Sequence, residues 1–325
     1  MSLFAFIEPA QWYVLPAAFG LDLLVGDPRF LPHPVRWMGR AIEACEPRFR
    51  RLFENELLAG TLFAAFMIAG CWGLTALVTQ MAHRMNPVLG SGLETVLIFY
   101  CLSARSLSAA AMQIHRLLKR GRVDAARREL SMIVGRDVDR YRADDIARAA
   151  VETVAENFVD GVLSPLIFAV LGGAPLAMAY KMVNTLDSMV GYDNPRYRLF
   201  GRAAARMDDA ANFIPARLSV LIIALTAWLL SGSKGAGRAM GTAWREGAHH
   251  SSPNAGYPEA AFAGALAVKL NGPNYYGGIL IDKPYIGVNF IAVRPSDIPK
   301  ACELMLGATL LAAALAWMAI LLMTI

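Results

Sequence analysis

The sequence predicts an all-α fold: a polytopic integral membrane bundle whose short interfacial helices and loops form a cytoplasm-facing site. The first observation is composition, because the 325 residues are 56% hydrophobic with a mean hydropathy of +0.41, more apolar than a typical soluble domain. The second is that residues 57–79 and 304–325 carry no charge and are long enough to cross a bilayer. The third is a set of polar residues at helical spacing beside apolar runs, described below.

Three further apolar segments are less regular. Residues 162–180 are uncharged but contain Pro165 and Pro175, which favours a broken or re-entrant helix. Residues 218–230 are short for a full span, and residues 12–25 are short and include a charge. Hydropathy therefore predicts roughly four to six membrane segments.

The topology has two alternatives at this stage. Strict alternation across five spans would place the polar motifs on opposite sides of the membrane. Either residues 162–180 and 218–230 do not fully cross, or the motifs of residues 181–215 lie at membrane depth in a polar cavity. The sequence does not choose between them.

The chain is expected to form one membrane-embedded domain over residues 1–325, with a polar helical insertion at about 105–150. Residues 105–148 carry eleven Arg or Lys against six Asp or Glu, an excess that predicts a cytoplasmic location. Gly135 is expected to cap a helix and leave Arg136 and Asp137 on a turn, whereas Arg127 and Arg128 are expected on a solvated face. Residues 231–241 have the composition of a flexible linker. The modest net charge of +5 and the absence of a basic, aromatic-rich stripe argue against nucleic acid as a partner.

Residues 148–217 carry polar side chains at helical spacing on three candidate helices, the third of which is expected to stop at Pro215. The positions are Arg148, Glu152, Glu156 and Asp160 on the first, Tyr180, Lys181, Asn184, Asp187, Ser188 and Gly191 on the second, and Arg202, Arg206, Asp209 and Asn212 on the third. Charges beside apolar segments are costly to keep without a use. This stretch is therefore the predicted site.

Two loops add candidates. Prolines before and after His33 hold a loop that also carries Asp27 and Arg36; the loop either belongs to the site or is a rigid connector whose histidine caps a helix. Ser252 and Asn254 precede an expected helix at 260–270. Its first amides could bind an anion, or the turn could be an ordinary helix cap.

Clustered carboxylates and asparagines near cations are suited to magnesium and phosphate. The candidate ligands or bases are Glu152, Glu156, Asp160, Asp187, Asp208 and Asp209, and the candidate phosphate partners are Lys181, Arg202, Arg206 and Arg217. The alternative is an ion-pair network that holds membrane-edge helices together. The four cysteines are far apart and show no metal or disulfide spacing.

Five ordered motifs resemble the CbiB/CobD family of cobalamin biosynthesis over residues 15–290. They are Asp27-Pro28 with Pro32-His33-Pro34-Val35-Arg36, Glu152 to Asn157 with Asp160-Gly161, Asn184 to Gly191, Arg206 to Arg217, and Ser252 to Gly256 followed by Glu259. One departure is Asn271, where the family pattern has glycine in a Leu-Gly-Gly loop.

The resemblance implies an adenosylcobinamide-phosphate (cobinamide) synthase, an ATP-dependent ligase that forms a carbon–nitrogen bond. Such an enzyme joins adenosylcobyric acid to (R)-1-amino-2-propanol or its O-phosphate. It implies ATP and Mg²⁺ as cofactors, with the corrinoid as substrate. It also implies a location in the cell (inner) membrane with a cytoplasmic active face, contact with membrane lipid, and other late cobalamin-pathway membrane enzymes as candidate partners.

Roles can be assigned to the marked positions as hypotheses. The catalytic set is Glu152, Glu156, Lys181, Asp187 and Asp209, and the metal set is Glu156, Asp160, Asp187 and Asp208. The substrate and phosphate set is Asp27, His33, Arg36, Asn157, Asn184, Ser188, Arg202, Arg206, Asn212, Arg217, Ser252 and Asn254. An acyl phosphate made from ATP would activate the corrinoid carboxyl, and a carboxylate such as Asp209 would take the amine proton.

Two other classes compete. Asn184-x-x-Asp187 and Asp208-Asp209-x-x-Asn212 are superficially similar to the Mg-diphosphate motifs of intramembrane prenyltransferases. A non-enzymatic sensor similar to the AmpE proteins could lose Glu156, Asp187 and Asp209 without penalty, yet the chain keeps all three. Co-purifying corrinoid colour would separate the synthase from both.

Overall fold

The computed structural model describes residues 11–27 and 33–324. The described helices are α1 (Val14–Val25), α2 (Pro34–Leu52), α3 (Glu56–Met85), α4 (Pro87–Phe99), α5 (Ala104–Lys119), α6 (Val123–Ser131), α7 (Ala143–Phe158), α8 (Ser164–Val190), α9 (Arg202–Glu246), α10 (Gly256–Leu266) and α11 (Asp297–Thr324). The described strands are β1 (Val268–Asn271), β2 (Asn274–Tyr276), β3 (Ile279–Ile281), β4 (Tyr285–Ile286) and β5 (Ile291–Ala292). The predicted helical architecture is confirmed, with a few short strands near the C-terminal end.

Within the described residues, five helical segments are long and apolar enough to cross a membrane. They are Glu56–Met85, Pro87–Lys119, Ala143–Val190, Arg202–His249 and Asp297–Met323. The uncharged runs at 57–79 and 304–325 lie in the first and the last of them. The protein is therefore a multi-pass helical membrane protein, and the predicted four to six segments are confirmed.

The third spanning segment is broken twice. A π-helical turn, Val159–Leu163, joins α7 to α8, and the main-chain N–H of Ser103 donates to the carbonyl of Gly161 (2.9 Å). Further along, Gly172 and Gly173 leave helical geometry inside α8. Gly173 has φ 61° and ψ −158°, a region open almost only to glycine. The prediction of a broken helix at 162–180 is confirmed.

Helix α9 corrects two predictions. It continues through Pro215 to Glu246, because a helix inside lipid has no water to satisfy freed backbone groups and so tends to persist. The expected linker at 231–241 is helical except at Gly232, which has φ 71°. Arg238 holds this part of the helix by donating to the carbonyls of Gly264 (3.0 Å) and Ala265 (3.3 Å). Tertiary contact has overridden the linker-like composition.

Two smaller boundaries also differ from prediction. Helix α6 ends at Ser131 with Met132 as its C-cap, so Gly135 does not cap it, although Arg136 and Asp137 do lie on the following loop. Helix α10 ends at Leu266 instead of 270. Its C-cap Ala267 is left-handed, with φ 53°, and leads directly into β1.

The described chain divides into two compact units. The first comprises Met1–Ser103, Asp160–Asn212 and Ala313–Ile325, and the second comprises Ala104–Val159 and Phe213–Ala312. The expectation of one domain over the whole chain stays a prediction.

In the first unit, α3 packs against α2, α4 and α8, and α1 packs against α4. The approach of α3 to the loop before α9 requires glycine, because a Cβ on Gly60 would collide with the backbone of Phe200. One arginine fixes this loop. Arg50 donates to Glu46 (2.9 Å), to Glu56 (3.0 Å) and to the carbonyl of Arg196 (2.9 Å), and its guanidinium lies 4.0 Å from the centre of the Phe200 ring.

In the second unit, α7 packs against α5, α6, α10 and β1. Strand β1 pairs with β4 in antiparallel fashion and with β5 in parallel fashion. Strands β2 and β3 form a hairpin around Gly277 and Gly278. Strand β1 of this small sheet places Asn271 beside α7, in contact with a candidate site residue.

Candidate functional site

The first unit contains a hydrogen-bonded polar network centred on Asn212, which is 1% exposed. Its amide oxygen accepts from the hydroxyls of Ser164 (2.6 Å) and Tyr180 (2.9 Å). Its amide nitrogen donates to Asp208 (3.0 Å), which also accepts from Asn184 (3.4 Å). Three predicted site residues on α8 and α9 are thus brought together within helical segments that are long and apolar enough to cross a membrane, where unmatched polar groups would be costly.

His33 caps a helix, which is one of the two roles left open by the sequence. Its Nδ1 accepts from the main-chain N–H of Val35 (3.2 Å) and so caps α2, while its Nε2 lies 3.4 Å from the Asp27 carboxylate. Burial lowers the pKa of His33; Asp27 opposes this, whereas Arg36 and Lys181 reinforce it. The ring is therefore neutral at pH 7, with its proton on the nitrogen that faces Asp27. Residues 28–32, including Pro28 and Pro32 of the predicted motif, lie outside the described residues.

Other predicted residues of the first unit lie nearer its surface. Arg36, Ser188, Arg202 and Arg206 are exposed, and Lys181, Asp160, Asp187 and Asp209 are half-buried. Lys181 acts electrostatically on both His33 and Asp208, so its ammonium lies within electrostatic range of both side chains. The backbone carbonyl of Asp160 accepts from Tyr180 (3.3 Å).

The second unit contains an ionic cluster centred on Glu152, which is buried on α7. Arg136 pairs with one carboxylate oxygen. The other oxygen accepts the main-chain N–H of Asn271 (2.6 Å) and lies 3.7 Å from Arg148. Glu156 is exposed one turn further along, and Asn157 donates back to the carbonyl of Thr153 (3.0 Å). Two arginines and a main-chain N–H therefore surround the Glu152 side chain.

A buried histidine–glutamate pair lies beside this cluster. His250 Nε2 is 3.9 Å from Glu259, and His250 Nδ1 accepts from the main-chain N–H of Ser252 (2.9 Å). Burial lowers the pKa of His250 to about 4, with Lys283 adding to the effect. Burial, together with Glu152 and Glu156, raises the pKa of Glu259. His250 is consequently neutral at pH 7, and Glu259 Oε2 finds no hydrogen-bond partner among the described residues.

The turn before α10 is an internally bonded cap. Ser252 Oγ accepts from the main-chain N–H groups of Asn254 and Ala255 (3.2 Å each). Arg217 donates to Asn254 (3.1 Å) and to the carbonyl of Pro253 (3.3 Å), and its guanidinium lies 4.4 Å from the Tyr257 ring centre. Arg217 is therefore committed to fixing the turn, and the turn's first amides are engaged.

Metal binding was predicted for Glu156, Asp160, Asp187 and Asp208. Within residues 11–27 and 33–324, no group of three or more His, Cys, Asp or Glu side chains is arranged to hold a metal ion. Asp208 already accepts two amide hydrogen bonds. Mg²⁺ is commonly held by only one or two carboxylates together with waters and substrate phosphates, and the assignment of Glu156, Asp160 and Asp187 to the metal stays a prediction.

Several residues of these clusters were not among the predicted site residues. They are Ser164, Arg136, His250, Glu259 and Asn271, whereas Arg148 and Tyr180 were placed on the predicted polar helix faces without a role. A signal existed for Arg136, which was expected on a turn, and for Glu259, which follows the last family motif. One residue corrects a prediction, because Arg127 donates to the carbonyl of Tyr141 (2.8 Å) and is not a freely solvated side chain; Arg128 is exposed.

The predicted site residues fall into both units. Asp27, His33, Arg36, Lys181, Asn184, Asp187, Ser188, Arg202, Arg206, Asp208, Asp209, Asn212 and Asp160 lie in the first, and Glu152, Glu156, Asn157, Arg217, Ser252 and Asn254 lie in the second. Their convergence on one pocket stays a prediction.

Comparison with known proteins gives a consistent result over nearly the whole chain. The family described as CobD/Cbib protein matches residues 15–305. The cobalamin biosynthesis protein CbiB of Salmonella arizonae is 46% identical over 303 residues, covering 92% of this chain and 94% of the relative. The cobalamin biosynthesis protein CobD of Klebsiella pneumoniae is 46% identical over 301 residues, with the same coverage. No solved structure matches.

Proposed function

Because the chain belongs to the CobD/CbiB family of cobalamin biosynthesis proteins, we propose that it is the synthase that joins adenosylcobyric acid to an amino alcohol. The amine is (R)-1-amino-2-propanol or its O-phosphate, and the product is adenosylcobinamide or its phosphate. The observation that carries the proposal is the 46% identity over 92% of the chain, which includes every motif that holds a candidate site residue. The enzyme would work in the inner membrane with its active face toward the cytoplasm.

Amide formation requires activation, because a carboxylate does not condense with an amine in water. The γ-phosphoryl group of ATP would pass to a carboxylate oxygen of the corrinoid acid as its bond to the β-phosphate oxygen breaks and ADP leaves. Mg²⁺ held by Glu156, Asp160 or Asp187 would neutralise the phosphate charge. The amine nitrogen would then attack the acyl carbon, the carbon–oxygen bond would break, and inorganic phosphate would leave. The amide and one proton complete the balance.

The chain's own groups have separate parts in this scheme. Lys181, near His33 and the Asn212 network, would hold the phosphate of the amine substrate. The exposed Arg202 and Arg206 would stabilise the charge of the transferring group. Asp209, half-buried on the first part of α9, would accept the ammonium proton. Arg217 is not needed for this, since it already fixes the turn before α10.

The test is an assay of purified protein in lipid nanodiscs with adenosylcobyric acid and each amine, with and without ATP and Mg²⁺. We expect corrinoid amide by mass spectrometry and one phosphate released per product, only when nucleotide is present. Product without nucleotide would reject the activation step. Failure to form product with either amine, together with no retained corrinoid colour, would reject the synthase.

The placement of the site has its own test. Asp187→Asn and Asp209→Asn should each lower turnover by at least about 100-fold, as expected for loss of a metal ligand or a general base, while yield in the membrane is unchanged. Arg128→Ala, on an exposed face of α6, is the matched control and should stay within about twofold of the parent protein. Near-normal turnover in either aspartate variant would show that its role is misplaced.

A further inference from the structure

The first unit contains an apolar cavity of about 370 Å³ between α2, α3 and α8. It lies away from the hydrogen bonds of the Asn212 network, and its lining is almost wholly hydrocarbon and sulfur. The residues that define it are Trp37 and Met38 on α2, Gly70 and Leu74 on α3, and Met178 and Met182 on α8. A cavity of this size is within the range of ligand pockets, and the one hydroxyl in its lining, on Thr75, already donates to the carbonyl of Cys71.

The cavity is long and narrow. Its lining runs from Pro34 to Cys45 on α2 and from Phe66 to Thr75 on α3, which corresponds to about 15 Å of helix. Dividing the cavity volume by this length gives a mean cross-section of about 25 Å². One extended hydrocarbon chain fits such a slot, whereas a flat ring system does not. The flexible methionines of α8 can adapt to a chain of variable shape.

The slot opens toward lipid. Phe66 and Leu74 line it and are 58% and 64% exposed, and both lie on α3, a helix that can cross the membrane. Trp37, on the opposite wall, is 57% exposed. Water would find too few polar partners here to be stable, so an aliphatic chain is the natural occupant.

The basic charge of α2 indicates which headgroup the aliphatic chain carries. Its sequence contains five arginines and two glutamates, and Arg36, Arg40 and Arg48 are exposed. Arginines near a membrane surface attract anionic headgroups. An amphipathic helix with this basic excess is typical of an interfacial element.

We propose that the slot between α2, α3 and α8 binds one acyl chain of an anionic phospholipid, whose headgroup is held by the arginines of α2. The site goes beyond the proposed synthase activity and does not depend on it. It does adjoin the candidate site, since Pro34 follows His33 and Met182 follows Lys181. A bound lipid would therefore support the position of those two side chains.

Two glycines of α3 give a matched test. A Cβ added at Gly70 or at Gly73 meets no atom within 4 Å, yet only Gly70 lines the slot. Gly70→Leu should fill the slot, whereas Gly73→Leu makes the same change in helix propensity outside it. Each protein is delipidated, titrated with phosphatidylglycerol or phosphatidylcholine, and examined by native mass spectrometry.

We expect the parent protein and Gly73→Leu to retain one phosphatidylglycerol per chain, and Gly70→Leu to bind it at least about tenfold more weakly. Equal retention by Gly70→Leu would overturn the slot as the binding site. Equal retention of the two lipids would overturn the anionic headgroup, and stronger retention of a polyprenyl phosphate would overturn the phospholipid. A second measurement uses phosphatidylglycerol with brominated chains, which quench nearby tryptophan fluorescence. The lipid should quench part of the emission of the parent protein, and Trp37→Phe should remove that part. Absence of this quenching would contradict the proposal even if Gly70→Leu failed to fold.

Discussion

Asn271 shows how a single backbone conformation supports a buried charge. Its φ is 60°, in the left-handed region that glycine and asparagine tolerate and β-branched residues do not. This accounts for asparagine at a position where the family pattern has glycine. In this conformation its main-chain N–H reaches the Glu152 carboxylate at 2.6 Å.

Substitution at this residue should therefore follow backbone preference. Asn271→Gly should leave the thermal midpoint of the purified protein within about a degree, whereas Asn271→Val should cost about 1–2 kcal/mol and lower the midpoint by several degrees. Scanning fluorimetry in detergent measures both. Equal midpoints for the two variants would mean that the left-handed conformation is not required.

His250 predicts a loss of stability in mild acid. Burial lowers its pKa from 6.5 to about 4 in the folded protein, so between these values the unfolded chain binds a proton that the folded chain does not. Stability due to this group is complete above pH 6.5 and falls toward pH 4, by at most roughly 3 kcal/mol.

The test for this residue is His250→Asn, which keeps an acceptor for the Ser252 N–H but does not titrate. Thermal midpoints recorded from pH 7 to pH 4 should fall less steeply in this variant than in the parent protein. Parallel curves would show that another group causes the acid loss. The contribution of Glu259 to stability has the opposite pH dependence. Because its pKa is raised in the folded protein, its burial lowers stability as the pH rises above 4.5.

Among the elements, the break in α9 provides a clean test of helix geometry. Gly232 has φ 71° and Gly237 is helical, and an added Cβ at either position meets no atom within 4 Å. Gly232→Ala should therefore destabilise the protein by about 1–3 kcal/mol through backbone strain alone. Gly237→Ala should stabilise it by about 0.5–1 kcal/mol.

Thermal midpoints of these two variants should move in opposite directions. If both rise, the chain at Gly232 can adopt regular helix, and the break is not a fixed feature of α9. Far-ultraviolet circular dichroism before heating checks that both variants begin from the same helical content.

Most elements could be predicted from hydropathy and proline or glycine placement, and the remainder could not for identifiable reasons. The break in α8 follows from Gly172, Gly173 and Pro175, which act locally. The persistence of α9 through Pro215 depends on its surroundings, which local propensity does not describe. The ends of α10 and the short strands depend on pairing between β1 and β4, residues far apart in sequence.

At the scale of the whole molecule, the positive-inside rule predicts which side the segments between spans occupy. The cationic excess of residues 105–148 places the exposed Arg128 on the cytoplasmic side. In a background without Cys45 and Cys71, Arg128→Cys should resist a membrane-impermeant maleimide in intact spheroplasts and react with it in inverted vesicles. Labelling in intact spheroplasts would reverse the proposed orientation of the active face.

The candidate site could be predicted in part at this scale. Spacing selected Asn184 and Asn212, Asp208 was a candidate ligand or base, and the structure joins the three by hydrogen bonds. Spacing could not select Tyr180 as a donor to Asn212, or Asn271 as a donor to Glu152, because those contacts link segments 32 and 119 residues apart. Arg217 also shows that a cation in a site motif can be used for support.

Arg50 has a practical consequence for anyone fitting the protein with a reporter. The polar connection between α8 and α9 is an obvious choice for inserting an epitope or a fluorescent domain. The Arg50 guanidinium nevertheless donates to the carbonyl of Arg196 and stacks on the ring of Phe200 in this connection, and it also pairs with Glu46 and Glu56. An insertion there would therefore disturb the junction of α2 and α3 as well. The turn at Gly121, exposed and with open space around it, is the better place for such a fusion.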